Sequence, residues 1–193
     1  VSDLLKSSRA TSRYTALVTS GYATLEALHQ FGPYLDGMSL ELRAFDDGAY
    51  RRLAGVEQWR GILDLAVQAR QQWNCHLEVT TRLHPNVNDA PEQIQAMGAW
   101  VRDALGPFTP WHLLPGDAGA AASASVARAR RLAHELGLHY VYGAEPGQHT
   151  RCPNCTAVLI EREKSQGRAV GLNDGVCAAC GADPHLHLSI FRR

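Results

Sequence analysis

The run Cys75-His76-Leu77-Glu78-Val79-Thr80-Thr81 alternates between side chains of different polarity in the manner of a β-strand. This period of two predicts that successive side chains point to opposite faces of a sheet. Apolar residues at helical spacing precede the run over residues 56–73, and a second helix is predicted to follow it and to end near Leu105. The run is therefore predicted to be a strand between two helices, which is the repeating unit of a parallel α/β sheet.

The same alternation of strands and helices extends in both directions from this run. The helix that follows it is predicted to begin at Asn88-Asp89, because such side chains cap helix N-termini and Pro91 suits the first turn. The predicted fold class is α/β, with a parallel sheet covered by helices. Four more strands are predicted at residues 14–19, 37–42, 111–114 and 138–142, and further helical segments near residues 2–13, 24–31, 46–53 and 120–136.

The chain is predicted to contain two domains. Residues 143–147, which include Pro146, form the clearest linker, and beyond them the helical periodicity disappears and pairs of cysteines begin. We therefore predict an α/β domain at residues 1–143 and a small metal-binding domain at residues 144–193.

The second predicted domain contains two Cys-x-x-Cys pairs, each of which can supply two thiolates from a tight turn. The pairs are separated by 21 residues. Four thiolates complete the tetrahedral shell that zinc prefers and leave no open position for a substrate, so the predicted role of the zinc is structural. Two redox-active pairs or an iron site are the alternatives. The predicted ligands are Cys152, Cys155, Cys177 and Cys180.

The cysteine and histidines near these pairs are predicted to have ordinary structural roles. Cys75 is expected in the core, because it points away from the face on which its neighbour His76 lies. His149, His185 and His187 would overfill a four-ligand shell. Residues 185–188 alternate like an edge strand whose histidines face water.

Bulk composition excludes some functions and compartments. The formal net charge is zero, so nothing in the overall charge favours a nucleic-acid backbone as partner. The arginines of the C-terminal region have no aromatic residues interleaved among them for base stacking, which argues against nucleic-acid binding. No stretch is long and apolar enough to span a membrane, and residues 1–4 do not resemble a secretory signal. We therefore predict a cytoplasmic protein.

Several short phrases occur in an order that resembles the C-terminal part of radical SAM enzymes of the AmmeMemoRadiSam type, relatives of pyruvate formate-lyase activating enzyme. The resemblance covers residues from about 12 to 190, and it is the ordered set rather than any single phrase that is specific. The phrases are Thr19-Ser20-Gly21-Tyr22, residues 40–45, Val79-Thr80-Thr81 followed by Asn88-Asp89, Pro110-Trp111-His112, Tyr140-Val141-Tyr142, Cys152-Pro153-Asn154-Cys155 and Leu159-Ile160-Glu161-Arg162.

This resemblance implies a partial (β/α)6 barrel of the radical SAM type, followed here by the zinc ribbon. In the family, a [4Fe–4S] cluster reductively cleaves S-adenosylmethionine, and the resulting adenosyl radical takes a hydrogen atom from a partner. The sites of such barrels lie at the C-terminal ends of the strands. Both cofactors are therefore expected of the family.

This chain departs from the family at the cofactor site. The cluster motif Cys-x3-Cys-x2-Cys and the segment resembling Gly-Gly-Glu-Pro are absent from the sequence. Ser20 stands where the family usually has asparagine, and Glu41-Leu42-Arg43 stands where it has Asp-Leu-Lys. His112 keeps a family position near the adenosine. By family position, the predicted cofactor-binding residues are His112, Ser20, Glu41 and Arg43.

The same residues also have structural interpretations. The period of two places Glu41 and Arg43 on the same face of their strand. They are therefore expected to form an ion pair with each other, in a site that no longer holds a cofactor, in preference to binding one. His112 is equally well explained as a strand-end histidine packed beside Trp111.

The sequence therefore predicts a radical SAM-like protein whose visible chain lacks the half that binds the cluster and S-adenosylmethionine. Three explanations fit: a fragment, a split enzyme, or a degenerate homologue that is inactive as this chain alone. The alternative is a non-catalytic zinc-ribbon interaction subunit of a larger assembly. In either case, a protein partner or the missing N-terminal half is expected to cover the open edge of the sheet.

Overall fold

A computed structural model describes residues 1–163 and 166–187 of the chain. Its main sheet consists of five strands: β1 (Ala16–Thr19), β2 (Gly37–Glu41), β3 (His76–Leu83), β4 (Trp111–Pro115) and β5 (Val141–Tyr142). All neighbouring pairs are parallel, and each strand lies beside the next one in sequence. A sheet that winds in one direction only has the topology of an open barrel, whereas a doubly wound sheet reverses its strand order. The predicted α/β class is confirmed.

Helices connect the successive strands, and local sequence explains several of their starting points. The Thr24 hydroxyl accepts a hydrogen bond from the amide of Ala27, and the Asp46 carboxylate accepts one from the amide of Ala49. These are N-terminal caps of the expected kind. The helices are α1 (Ser2–Ala10), α2 (Leu25–Phe31), α3 (Asp47–Ala54), α4 (Gly61–Trp73), α5 (Pro91–Trp100) and α6 (Ala120–Glu135), with a 3₁₀ turn at Gly32–Tyr34 and a π-helical extension at Val101–Leu105.

The predicted cap at Asn88-Asp89 is wrong. Helix α5 begins at Pro91 with Ala90 as its N-cap, and no side chain caps it. The fully buried Asn88 amide instead donates to the carbonyl oxygens of Arg43, at 2.6 Å, and Arg82, at 2.8 Å. The bond to Arg43 joins the segments that follow β2 and β3. Since the Asn88 side chain makes these bonds, it is not available to cap the helix.

The two faces of the main sheet differ in character. One face is covered by helices and carries large side chains with no exposed surface, namely Leu40, Leu77, Val79, Trp111 and Leu113. The opposite face is polar, because its residues alternate with the buried ones. Cross-strand pairing places Ser39 beside Glu78, Glu41 beside Thr80, Thr80 beside His112, and His112 beside Tyr142 on this face.

The C-terminal region forms a small antiparallel ribbon. Its strands are β6 (Thr150–Arg151), β7 (Val158–Glu163) and β8 (Gln166–Ala169) in one sheet and β9 (Leu172–Asn173) and β10 (Val176–Cys177) in a hairpin. A separate small core contains the buried residues Cys152, Leu159 and Cys177. The chain leaves β5 at Tyr142 and enters β6 at Thr150, and the division at residue 143 stays a prediction.

The ribbon packs against the β5 side of the main sheet. The Tyr140 hydroxyl donates to the carbonyl oxygen of Pro184 at 2.5 Å, and the Tyr142 hydroxyl lies 2.9 Å from that of Thr150. The Arg162 guanidinium lies over the Tyr142 ring, 4.4 Å from its centroid. Through these contacts the ribbon covers the sheet at its β5 edge.

The edge at β1 is different. Within the described residues β1 pairs only with β2. Two large apolar side chains near this edge are exposed, Val18 by 83% and Tyr22 by 58%. An edge of this kind offers unpaired backbone groups and apolar surface.

The predicted edge strand at residues 185–188 is wrong for residues 185–187, which form no strand, and Leu188 lies outside the described residues. His185 has a positive φ of 53°. Its ring packs on Phe108, with centroids 4.0 Å apart, and His185 and His187 are both exposed, as expected. In the part of the chain that the structure describes, no helix has both the length and the apolarity to cross a bilayer.

Candidate metal centre and adjoining cavity

The four cysteines of the two Cys-x-x-Cys pairs come together at one end of the ribbon. Their Sγ atoms all lie within 4.8 Å of one another. Across the two pairs, Cys152 and Cys180 approach to 3.7 Å, and Cys155 and Cys177 approach to 3.6 Å. The four cysteines can therefore hold a metal ion.

The local backbone explains how each pair presents two sulfurs. In the first pair the amide of Thr156 donates to the carbonyl of Cys152 at 2.9 Å, and in the second the amide of Gly181 donates to the carbonyl of Cys177 at 2.8 Å. Both donors have positive φ, 63° for Thr156 and 72° for Gly181. This left-handed residue closes each turn so that both sulfurs face the same point.

The sulfur spacing fits a single tetrahedral ion. Zinc–sulfur bonds of about 2.3 Å give a tetrahedron whose edges are about 3.8 Å long, close to the observed 3.7 and 3.6 Å. A cluster of several iron atoms binds its thiolates on different irons, which separates the sulfurs further. The geometry therefore fits one ion better than a multi-iron cluster.

None of the three nearby histidines belongs to the group of four sulfurs. The Nδ1 atom of His149 accepts a hydrogen bond from the amide of Arg162. His185 packs on Phe108, and the ring of His187 lies 4.9 Å from that of His76. The last contact brings the ribbon onto the polar face of the main sheet.

Three side chains on that face form a hydrogen-bonded triad, here called the His-Glu-His triad: His76, Glu78 and His112. The Nε2 atom of His76 lies 3.1 Å from one carboxylate oxygen of Glu78, and the Nε2 atom of His112 lies 2.9 Å from the other. Burial alone would raise the pKa of Glu78. The hydrogen bonds and charges of His112 and His76 outweigh that effect and hold the pKa well below its usual range, so the carboxyl group stays ionised.

A cavity of about 510 Å³ lies between the triad and the ribbon. His76 and Glu78 form part of its wall on the sheet side, and Ile160, Arg162 and His187 line it on the ribbon side. The cavity opens near the N-terminal ends of β3 and β4, since it also touches Pro110, the residue before β4. It thus lies at the end of the sheet opposite to the one that barrel enzymes use.

Two tyrosines, Tyr140 and Tyr142, line the cavity. Burial raises the pKa of the Tyr142 hydroxyl, despite its hydrogen bond to Thr150 and the nearby Arg162 guanidinium. Burial is also the main cause of the raised pKa of Tyr140. Both hydroxyls therefore stay protonated and keep their contacts with the ribbon over the physiological range.

The four residues predicted to bind a cofactor differ in their contacts. Glu41 and Arg43 form an ion pair of 3.1 Å at the C-terminal end of β2, and Arg43 also donates to the carbonyl of Leu53 at 2.9 Å. Ser20 is exposed just after β1. His112 contacts Glu78 and stacks on Tyr142, with centroids 5.2 Å apart. Their role in binding a cofactor stays a prediction.

Sequence reasoning missed Glu78, the residue at the centre of the triad. The sequence did indicate that His76 and Glu78 lie close together, because a period of two places them on one face of the third strand. The contribution of His112 depends on the register of β3 against β4, in which Thr80 pairs with His112. Local sequence does not specify that register. Cys75 is buried in the main core, as expected.

Comparison with known proteins supports the fold. No protein-family model matches this chain. The chain is 30% identical over 186 residues to the uncharacterized protein MJ0808 of Methanocaldococcus jannaschii, a match that covers 90% of this chain and 54% of that protein. The chain therefore spans about half the length of this curated relative.

The fold is similar to that of a solved domain of pyruvate-formate lyase-activating enzyme from Bacteroides vulgatus. The TM-score is 0.63 at 15% sequence identity, and the match covers 75% of this chain and 89% of that domain. At this identity the likeness concerns the fold. It agrees with the barrel-like sheet that the sequence resemblance implied.

Proposed function

We propose that this chain is the part of a radical SAM-type protein that lacks the segment for the iron–sulfur cluster and S-adenosylmethionine. That segment belongs to a longer chain, comes from a partner, or has been lost from a degenerate homologue. The observation that carries the proposal is the fold likeness to the activating-enzyme domain over 75% of this chain. The ordered phrases that resemble the AmmeMemoRadiSam type add to it.

We further assign zinc to the four cysteines, with a structural role. The sulfur spacing of 3.6–3.7 Å supports a single tetrahedral ion, and a complete thiolate shell leaves no position for a substrate. The small ribbon core, which has three buried residues, is too small to account for the folding of this region without the ion. Zinc bound by such a set contributes about 10–16 kcal/mol in small domains.

The alternative function is a non-catalytic interaction subunit that uses the ribbon and the sheet edge to bind other proteins. One observation favours it. The Glu41–Arg43 ion pair lies at the C-terminal end of β2, where the family is expected to bind its cofactor. An ion pair there satisfies both charges internally and leaves them less available to a ligand.

The experiment is an assay of the purified chain for reductive cleavage of S-adenosylmethionine. Under anaerobic conditions with dithionite, we expect no 5′-deoxyadenosine above a blank without protein, because the chain has no Cys-x3-Cys-x2-Cys motif. Iron and acid-labile sulfide are measured in the same sample. Release of 5′-deoxyadenosine that depends on this chain would contradict the proposal.

Binding of S-adenosylmethionine distinguishes the two functions. Equilibrium dialysis with the labelled cofactor is run on the natural protein and on an Arg43→Ala variant. Weak binding that changes in the variant would favour a retained part of the family site. No binding by either protein would favour the interaction subunit.

A further inference from the structure

The His-Glu-His triad uses side chains that commonly bind metals, and it lies on the main sheet rather than in the ribbon. Its three members come from two adjacent parallel strands, His76 and Glu78 from β3 and His112 from β4. Strands hold side chains more precisely than loops do. The site is thus built on the rigid part of the fold.

The donor atoms have a chemistry that suits a metal ion, and the two distances from Glu78 to the histidines are close to those between neighbouring ligands. Two imidazoles and one carboxylate form the three-ligand set of many catalytic zinc and non-haem iron sites, which keep open positions. The Nε2–oxygen distances are 3.1 and 2.9 Å. Neighbouring ligands around an ion with bonds of about 2.1 Å are separated by roughly 3.0–3.4 Å.

The three donor atoms do not all converge in this structure, so binding an ion requires the imidazoles to turn. Within the described residues, only the four cysteines have all donor atoms within 4.8 Å of one another. Both imidazoles are partly exposed, with 24% of the His76 side chain and 23% of the His112 side chain accessible. The buried Nδ1 of His76 has no hydrogen-bond partner among the described residues, so no bond at that nitrogen holds the ring in its present orientation.

The cavity provides what an open coordination position requires. It borders His76 and Glu78 and has a volume of about 510 Å³, enough for water and a small ligand. His187 stands at its wall beside His76.

We propose that His76, Glu78 and His112 bind one divalent first-row transition metal ion, with an open coordination position that faces the cavity. This site is separate from the four cysteines and adds a metal centre of nitrogen and oxygen ligands to the chain. It does not depend on the proposed radical SAM relationship. With three ligands, it binds its ion less tightly than the closed thiolate site does.

The experiment is a cobalt titration of the full chain, purified without a histidine tag. Co²⁺ bound to thiolates gives an intense sulfur-to-metal charge-transfer band in the near ultraviolet, and Co²⁺ bound to nitrogen and oxygen does not. We expect two equivalents to bind, only the first of which increases the charge-transfer band. Metal content after gel filtration gives an independent count.

Variants assign the second equivalent. Glu78→Gln and His112→Gln keep hydrogen-bonding side chains but remove strong ligands, and each should raise the Kd of the second Co²⁺ at least about tenfold. His29→Gln is the matched control, because His29 is exposed on α2 and contacts Trp73. The charge-transfer band from the cysteines serves in every variant as the test of folding.

Saturation of the natural protein at one Co²⁺ per chain would overturn the proposal. So would a second equivalent that binds equally well in Glu78→Gln, His112→Gln and His29→Gln. In either case the triad would be a hydrogen-bonded cluster only.

Discussion

Thr156 and Gly181 occupy equivalent positions in the two cysteine turns, and both have the left-handed backbone conformation, with φ of 63° and 72°. Each donates its amide to the carbonyl of the first cysteine of its pair. Glycine adopts this conformation at little cost, whereas a β-branched residue is strained in it. The first turn is therefore held in a conformation that its sequence disfavours.

Replacing Thr156 by glycine should stabilise the ribbon. The left-handed conformation costs an L-residue about 1–2 kcal/mol, and the greater flexibility of glycine when unfolded offsets part of the gain. We expect a net gain of about 0.5–1 kcal/mol, measured as a lower zinc Kd, by roughly two- to fivefold, in competition with a chelator. Gly181→Thr is the reciprocal variant and should weaken zinc binding. Equal affinities in the two variants and the natural protein would contradict the explanation.

Replacing Asn88 by alanine should destabilise the main domain strongly. The Asn88 side chain is fully buried, donates to two carbonyls and accepts from the amide of His84 at 2.7 Å. Each buried partner left without a bond costs about 1–3 kcal/mol, so we expect a loss of roughly 2–4 kcal/mol in the free energy of unfolding.

The control for this variant is Asn86→Gly, two residues away. Asn86 is exposed and already has a φ of 61°, which suits glycine, so the change should be within about 0.5 kcal/mol. Urea denaturation measures both variants. A small effect of Asn88→Ala would mean that the loop after β3 is stabilised in some other way.

The contrast between Asn88 and the strands shows what sequence could predict. Strand β3 was predicted within two residues, because alternation is a local property of the chain. The cap at Asn88 was wrong because its amide bonds to residues as far away in sequence as Arg43. The strand at residues 185–187 was wrong for a similar reason, since His185 packs on Phe108.

The candidate sites show the same division between local and long-range information. The two Cys-x-x-Cys pairs are local motifs, and their predicted convergence is seen in the structure. The triad joins β3 to β4, and nothing local to either strand specifies their register. To predict that Glu78 and His112 are in contact, one would need to know how distant segments of the chain pair with each other.

Removing zinc should unfold the ribbon and leave the main sheet folded. The ribbon core has few buried residues apart from the cysteines, whereas the main domain has a large core of its own. We expect hydrogen exchange, followed by mass spectrometry, to lose protection at residues 150–182 after removal by a strong chelator. Strands β2 to β4 should keep theirs.

A cysteine variant tests the same point without a chelator. Cys155→Ser should remove thiolate-bound zinc and reproduce the loss of protection, while Cys75→Ser, in the main core, should leave the zinc content unchanged. A ribbon that stays protected without zinc would contradict a structural role for the ion.

The exposed edge at β1 leads to the last prediction, which concerns association. We propose that a partner or a further segment of the protein covers this edge, where Val18 is 83% exposed. The support is that β1 pairs with β2 alone among the described strands, and that the relative from Methanocaldococcus jannaschii is nearly twice as long as the matched region. This chain by itself should therefore associate at low micromolar concentration.

Sedimentation velocity over a range of concentrations measures that association. A lysine at position 18 places a charge on the edge, which disfavours strand pairing, so Val18→Lys should shift the population toward the monomer. Val170→Lys is the matched control, because Val170 is an exposed valine of the ribbon. A stable interface would bury roughly 1,200–2,000 Å², and an interface of this size should be sensitive to one charge at its centre. If the natural chain is a monomer with one cooperative melting transition, the edge needs no cover and the proposal of a missing half loses its structural support.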